Sequence, residues 1–339
     1  MLTGMSLALL TSTLAFGAEP LRLALPVACT PGSDCFVQNY VDHDPSTGYR
    51  DYACGARTYD GHDGTDFRLR SLVAQRAGVA VLAAADGVVG GVRDGMKDVS
   101  IRDTGIQAVK GRECGNGLVL RHAGGWETQY CHMAQGSLSV RPGQHVTLGQ
   151  PLGKVGLSGL TEFPHLHFTV RRDGKFVDPF APDPKDGECG SSSTLWLEAA
   201  AAQLAYRRRV RLNSGFADRM LSMEEVENLQ PETLALSPDS PALVTYVKMI
   251  GLEAGDVANL TLRAPDGSVL AQKQLQPLPR AQAQTLALIG RKRPVAGWPA
   301  GLYRADYRVS NDGRTVFEDS VSIRLGSVQT PAPAPASRP

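Results

Sequence analysis

The sequence predicts a mainly β protein, with an antiparallel-sheet domain followed by a small Ig-like β-sandwich. Between Val79 and Val170, short alternating or buried apolar runs are separated by Gly-rich turns, and no helical period is present. From about Val210 a second set of alternating runs appears, punctuated by PDG at 265–267 and NDG at 311–313. All six cysteines fall within the first 190 residues, so the two regions also differ in how they can be held together.

In the first region the expected strands are VAVLAAADGVV, GLVLRH, WETQYCH, HVTLG, PLGKVG and LHFTVRR. Between Val89 and Gly117 lies a long polar connection, of the kind that compact domains keep for function. After Pro179, PDPKDGECGSSS reads as a domain edge and LWLEAAAAQLAY as a short helix. In the second region Leu260 and Leu262 precede one turn, and Tyr303, Ala305, Tyr307 and Val309 precede the other. Val321, Ile323 and Leu325 follow. The expected organisation is a signal peptide at 1–18, a disulfide-stapled domain at 19–190, and a linker with a short helix at 191–206. A β-sandwich at 207–326 and a disordered Pro/Ala-rich tail at 327–339 complete it.

The chain has 339 residues, enough for two cores, and a formal net charge of +1, which gives no case for nucleic-acid binding. The basic runs Arg207–Arg209 and Arg291–Arg293 read as solvated surface. Residues 1–18 form a short apolar run ending in small residues, with cleavage expected after Gly17 or Ala18. No later segment is long and apolar enough to span a bilayer, so the expectation is an exported protein, periplasmic or extracellular. An even cysteine count suits that compartment. Sequence alone leaves the pairing open; we expect Cys29–Cys35 as a local loop, Cys114–Cys131 across two strands, and Cys54–Cys189 tying the domain ends.

Four of the seven histidines lie in three polar segments: His62 in GHDGTDF, His132 in YCHM, and His165 and His167 in FPHLHF. On a strand, positions i and i+2 share a face, so HLH presents two imidazoles on one side and Leu166 on the other. Two surface histidines would read the same way. His62 and Asp66 carry a nitrogen and an oxygen donor in a turn-prone segment, where Asp66 could equally be an Asx turn residue. Taken together these residues meet the needs of a hydrolytic Zn2+ site: three protein ligands, an open position for water, and groups for proton transfer. His43, His122 and His145 read as surface or turn residues.

In order and wording, GHDGTDF, AAADGVV, CGNGLVLRHAGGWETQYCHM, VRPGQHVTLGQPLGKVGLSG and PHLHFTVRRDGKFVDPF resemble the LytM/lysostaphin-type zinc metallopeptidases over roughly residues 55–182. The resemblance implies a zinc endopeptidase acting on stem or bridge peptides of bacterial peptidoglycan. It implies His62, Asp66 and His167 as zinc ligands, and His132 and His165 as the unligated histidines that handle the proton and the oxyanion. Tyr59 is a candidate oxyanion helper, with a packing role as the alternative. A catalytically silent relative that binds cell wall or activates a partner amidase is the alternative. The long connection at 90–116 and the cysteines depart from the family pattern. A protein partner of the C-terminal domain stays open.

Overall fold

The computed structural model describes residues 21–184, 188–229 and 236–326. The expected leader and tail lie outside the described residues. The first region contains β1 (Cys35–Val37), β2 (Thr65–Leu69), α1 (Leu72–Ala77), β3 (Ala80–Leu82), β4 (Gly87–Arg93) and α2 (Ile101–Thr104). It continues with β5 (Asn116–Arg121), β6 (Trp126–Met133), β7 (His145–Val146), β8 (Pro151–Lys154), β9 (His165–Arg172) and β10 (Lys175–Phe176). An antiparallel sheet runs in the order β1-β2-β9-β6-β5-β4-β7, with β10 beside β9, and β3 pairs with β8.

Alternation decides what each face of this sheet does. Phe67, Leu118, Leu120, Tyr130, Leu166, Phe168 and Val170 point into one core with Trp196. The intervening residues of β2, β6 and β9 point the other way and carry the polar side chains. Asp66, for which an Asx turn was one reading of the sequence, is a strand residue of β2 opposite His167. The expected strand VAVLAAADGVV splits into β3 and β4, because the buried small residues Ala83, Ala84 and Ala85 pass between two different sheets.

The long polar connection at 90–116 carries short elements of its own. β4 runs on to Arg93, and α2 and a 3₁₀ turn at Ile106–Val109 follow. Asn116 ties the connection down, accepting from Met96 N at 2.8 Å and donating to Met96 O at 2.7 Å. The three disulfides join Cys29 to Cys35, Cys54 to Cys189 and Cys114 to Cys131, the pairing expected from the sequence.

The segment expected as a linker, 191–206, belongs to the first core. Leu195, Trp196, Ala200 and Leu204 are buried in it, the last two on or just after α3 (Glu198–Gln203). Its apolar stripe needs a surface to cover, and the sheet supplies one.

Beyond it lie β11 (Val210–Ala217), α4 (Met223–Asn228), β12 (Ala242–Leu252), β13 (Val257–Arg263), β14 (Val269–Gln274), β15 (Gln282–Lys292), β16 (Gly301–Asn311) and β17 (Arg314–Leu325). They form a three-stranded sheet, β11-β12-β15, and a four-stranded sheet, β14-β13-β16-β17. Leu243, Val247 and Met249 of the first share a core with Leu260, Leu262, Tyr303 and Val309 of the second. In the run Arg207–Arg209 the first two residues are exposed as expected, but Arg209 is not: it donates to both carboxylate oxygens of the buried Asp256, at 2.8 and 2.7 Å, and to Glu253 at 2.9 Å.

Candidate metal centre

Three chain segments converge on the polar face of the large sheet. The loop before β2 brings His62, β2 brings Asp66, and β9 brings His165 and His167. Their donor atoms nearly touch. His62 Nε2 lies 3.2 Å from Asp66 Oδ1 and 3.3 Å from His167 Nδ1, and His167 Nδ1 lies 2.9 Å from Asp66 Oδ1. His165 Nε2 stands slightly outside, 3.4 Å from the same oxygen. His132 is brought in from β6, its ring 4.6 Å from that of His165 and 5.9 Å from that of His167.

Local backbone explains how so many rings fit. A Cβ on Gly64 would sit 2.7 Å from the His167 ring and 2.8 Å from Phe168 O, so only glycine allows the loop to lie over β9. His132 itself has φ of 60°, a region non-glycine residues avoid, which turns its ring off the strand and into the site.

Each histidine is oriented by an acceptor on its outer nitrogen, which therefore carries a hydrogen and turns the inner nitrogen toward the site. His62 Nδ1 donates to Tyr40 O at 2.6 Å, and His132 Nδ1 to Ser158 O at 2.8 Å. His165 Nδ1 donates to Phe163 O at 2.9 Å. His167 Nε2 has Asp63 Oδ1 and Thr169 Oγ1, each at 3.0 Å. Asp66 Oδ2 accepts from Asn39 Nδ2 at 2.8 Å, leaving Oδ1 for the centre.

The charges follow from this packing. Burial works against ionised Asp66, but His62 and His165 outweigh it and hold the carboxyl well below its usual range. Burial likewise works to lower His167, yet its hydrogen bonds to Asp63 and Asp66 raise it to about 9. His132 goes the other way: burial, then the neighbouring charges of His165 and His167, push it well below its usual value. Its inner nitrogen is thus an unprotonated base at neutral pH.

His62, Asp66 and His167 form a group able to hold a metal ion, their donor atoms all within 4.8 Å of one another. Two imidazole nitrogens and one carboxylate oxygen, each braced from behind, are a donor set that fits Zn2+ with positions to spare. The surrounding groove is lined by Tyr59, Asp63, Gln129, Leu160, Thr169 and Arg171 among others, and one wall carries the Cys114–Cys131 disulfide. The Tyr59 ring lies 4.6 Å from that of His62 at the groove edge. The remaining histidines are elsewhere: His43 pairs with Asp178 at 2.7 Å, His122 bridges Asp86 O and Thr128 Oγ1, and His145 is exposed.

Sequence reasoning missed Asp63 and Asn39. Asp63 was visible inside GHDGTDF as a second carboxylate beside the first histidine. Asn39 had no signal, since it reaches Asp66 across the strand pairing of β1 and β2.

The fold and the braced His–Asp–His group together define a metallopeptidase-type domain. Residues 60–179 match Peptidase family M23, so the chain carries a LytM/lysostaphin-type domain of that family. A curated relative is the Cell division protein DipM of Caulobacter vibrioides, 39% identical over 71 residues, covering 19% of this chain and 11% of DipM. DD-carboxypeptidase/endopeptidase Mpg of Neisseria meningitidis serogroup B is 33% identical over 120 residues, covering 35% of this chain and 22% of Mpg. Peptidoglycan DD-endopeptidase ShyA of Vibrio cholerae is 30% identical over 117 residues, covering 34% and 22%. The alignments therefore span about a fifth or less of these relatives' length.

Proposed function

We propose that the protein is a zinc-dependent endopeptidase hydrolysing peptide cross-links of bacterial peptidoglycan, working outside the cytoplasm. The observation that carries this is the division of labour at the site: three braced donors within mutual reach, and two more oriented histidines beside them that the donor set does not use. The activities for which Mpg and ShyA are named support the substrate class. Three disulfides, and the absence among the described residues of any helix long and apolar enough to cross a membrane, agree with an exported enzyme.

Zn2+ held by His62 Nε2, Asp66 Oδ1 and His167 Nδ1 would supply the Lewis acid that brings a water's pKa to about 7 and polarises the scissile carbonyl. The chain's own residues do the rest. His132 Nε2, neutral and fixed by Ser158 O, accepts the proton of the attacking water and returns it to the leaving amine. His165, held by Phe163 O and Thr161 Oγ1, turns its inner nitrogen toward the developing oxyanion and stabilises it by donating a hydrogen from there, in the form that carries hydrogens on both nitrogens. Asp63 keeps His167 in the tautomer that leaves Nδ1 inward. Tyr59 sits on the groove side of His62 and positions substrate.

Zinc content and wall-lytic activity measured on the same preparations test this reading. The full-length protein is expected to hold one zinc and to clear peptidoglycan in a gel overlay. His167→Ala should lose both. A folded chain with stoichiometric zinc and no activity on any muropeptide overturns the proposal.

A further inference from the structure

The C-terminal unit packs on the same sheet face as the metal-binding side chains. Asp66 pairs with His167, Arg68 with His165, and Phe36 with Arg68, so all of them lie on one face. Phe36 clusters with Val210, Leu212 and Ile250 of the C-terminal unit, and Gln38 Nε2 donates to Ala283 O of β15 at 2.8 Å.

At the centre of this contact Arg68 is completely buried. Its Nη1 donates to Gln38 Oε1 at 2.8 Å, and its Nη2 donates to Glu227 Oε1 of α4 and to Gln284 Oε1 of β15 at 3.1 Å. Lys248 of β12, also buried, donates to the same Glu227 oxygen. Two buried cations share one carboxylate, so Glu227 is what holds both in place. The other side of the guanidinium faces the site. Its carbon lies 4.0 Å from the centroid of the Phe163 ring, the Phe163 ring lies tilted against the His165 ring with centroids 4.8 Å apart, and Phe163 O fixes the His165 Nδ1 hydrogen.

We infer that Glu227 and Arg68 are positioning residues for His165, acting through Phe163. The C-terminal unit is then part of the hydrolytic apparatus, supplying the carboxylate that sets one of its histidines. With Gln in place of Glu227, Arg68 loses the charged acceptor that anchors its Nη2, and the guanidinium is no longer held over the Phe163 face. The ring that brackets His165 then loses its backing. This inference rests on the proposed peptidase reading.

Full-length, zinc-loaded protein tests it with four variants: Glu227→Gln, Phe163→Leu, these two combined, and Glu227→Gln combined with Lys248→Met. The last keeps the cluster's net charge while removing the anchor of Arg68, so it stays informative if Glu227→Gln does not fold. Turnover on a cross-linked muropeptide dimer is measured together with zinc content and the His165 ring resonances by NMR. The expected result is a kcat lower by about tenfold to a hundredfold, KM changed by less than about twofold, full zinc, and displaced His165 resonances. Phe163→Leu and Glu227→Gln should be less than additive when combined, because they interrupt one chain of contacts. An unchanged kcat per folded, zinc-loaded molecule with unmoved His165 resonances overturns the inference, whatever happens to the melting temperature. If the wild type itself cuts nothing, the peptidase reading fails, and the resonances alone still decide whether Glu227 positions His165.

Discussion

Replacing Asp63 with alanine removes the carboxylate that accepts from His167 Nε2 at 3.0 Å. Loss of such an outer partner costs roughly 10–100-fold in metal affinity. Thr169 Oγ1 remains on the same nitrogen at 3.0 Å, and the Asp63 side chain is 39% exposed, so the lower end applies. That is about tenfold, or about 1.4 kcal/mol. A second effect opposes it. In the metal-free chain Asp63 helps raise His167 to about 9, so at neutral pH zinc must displace a proton that Asp63 helps to hold. Removing Asp63 relieves that competition near pH 7, but has nothing to relieve above the titration. Zinc affinity measured by chelator competition at about pH 7 and about pH 9.5 separates the two effects. The variant's deficit should approach tenfold at the higher pH and be smaller at pH 7. Equal affinities at the higher pH, or a deficit that grows as pH falls, would refute the assignment of Asp63 as the brace of His167.

His132→Ala should keep its zinc and lose roughly 10²–10⁴-fold in kcat, by metal analysis and kinetics on one preparation; loss of zinc would contradict its role as an unligated base. Cys54 and Cys189 close a loop with a sequence separation of 135, worth about 5 kcal/mol of unfolded-state entropy. Their double alanine variant should unfold at markedly lower urea, and a change below about 1 kcal/mol would show that the loop is otherwise held. Lys248 is lowered to about 7 from 10.5, chiefly by burial and then by Arg68. Between those values the unfolded chain binds more protons than the folded one, so its penalty is full below pH 7 and fades as pH rises. Lys248→Met should therefore gain most stability near pH 6, with the gain shrinking by at most about 1.4 kcal/mol per pH unit above 7. A gain that grows with pH would reverse the sign and sink the argument.

The site was more legible than its setting. HLH needs only strand periodicity to put His165 and His167 on one face, and His62 and Asp66 declare themselves by donor type and spacing. The braces were not legible, because Tyr40 O, Ser158 O and Phe163 O are backbone atoms that any sequence supplies. The large sheet was largely readable from its alternation. β12, ALVTYVKMIGL, was not, since it is covered on both faces and does not alternate. Arg68, Lys248 and Arg209 look like surface cations in sequence. Only the fold reveals that each is buried against a carboxylate brought from far along the chain. Where the linker was expected, the small alanines of α3 gave no sign that Trp196 and Leu204 anchor the segment in the first core.

The central claim is that this braced His–Asp–His group works on peptide cross-links. Mass spectrometry of the products released from purified, cross-linked peptidoglycan tests it most directly. Zinc-loaded protein is expected to convert cross-linked muropeptide dimers to monomers by hydrolysis of one peptide bond, with glycan strands intact. A chelator should stop the conversion and added zinc should restore it. Dimers left intact by folded, zinc-loaded protein, or products cut in the glycan, would contradict it.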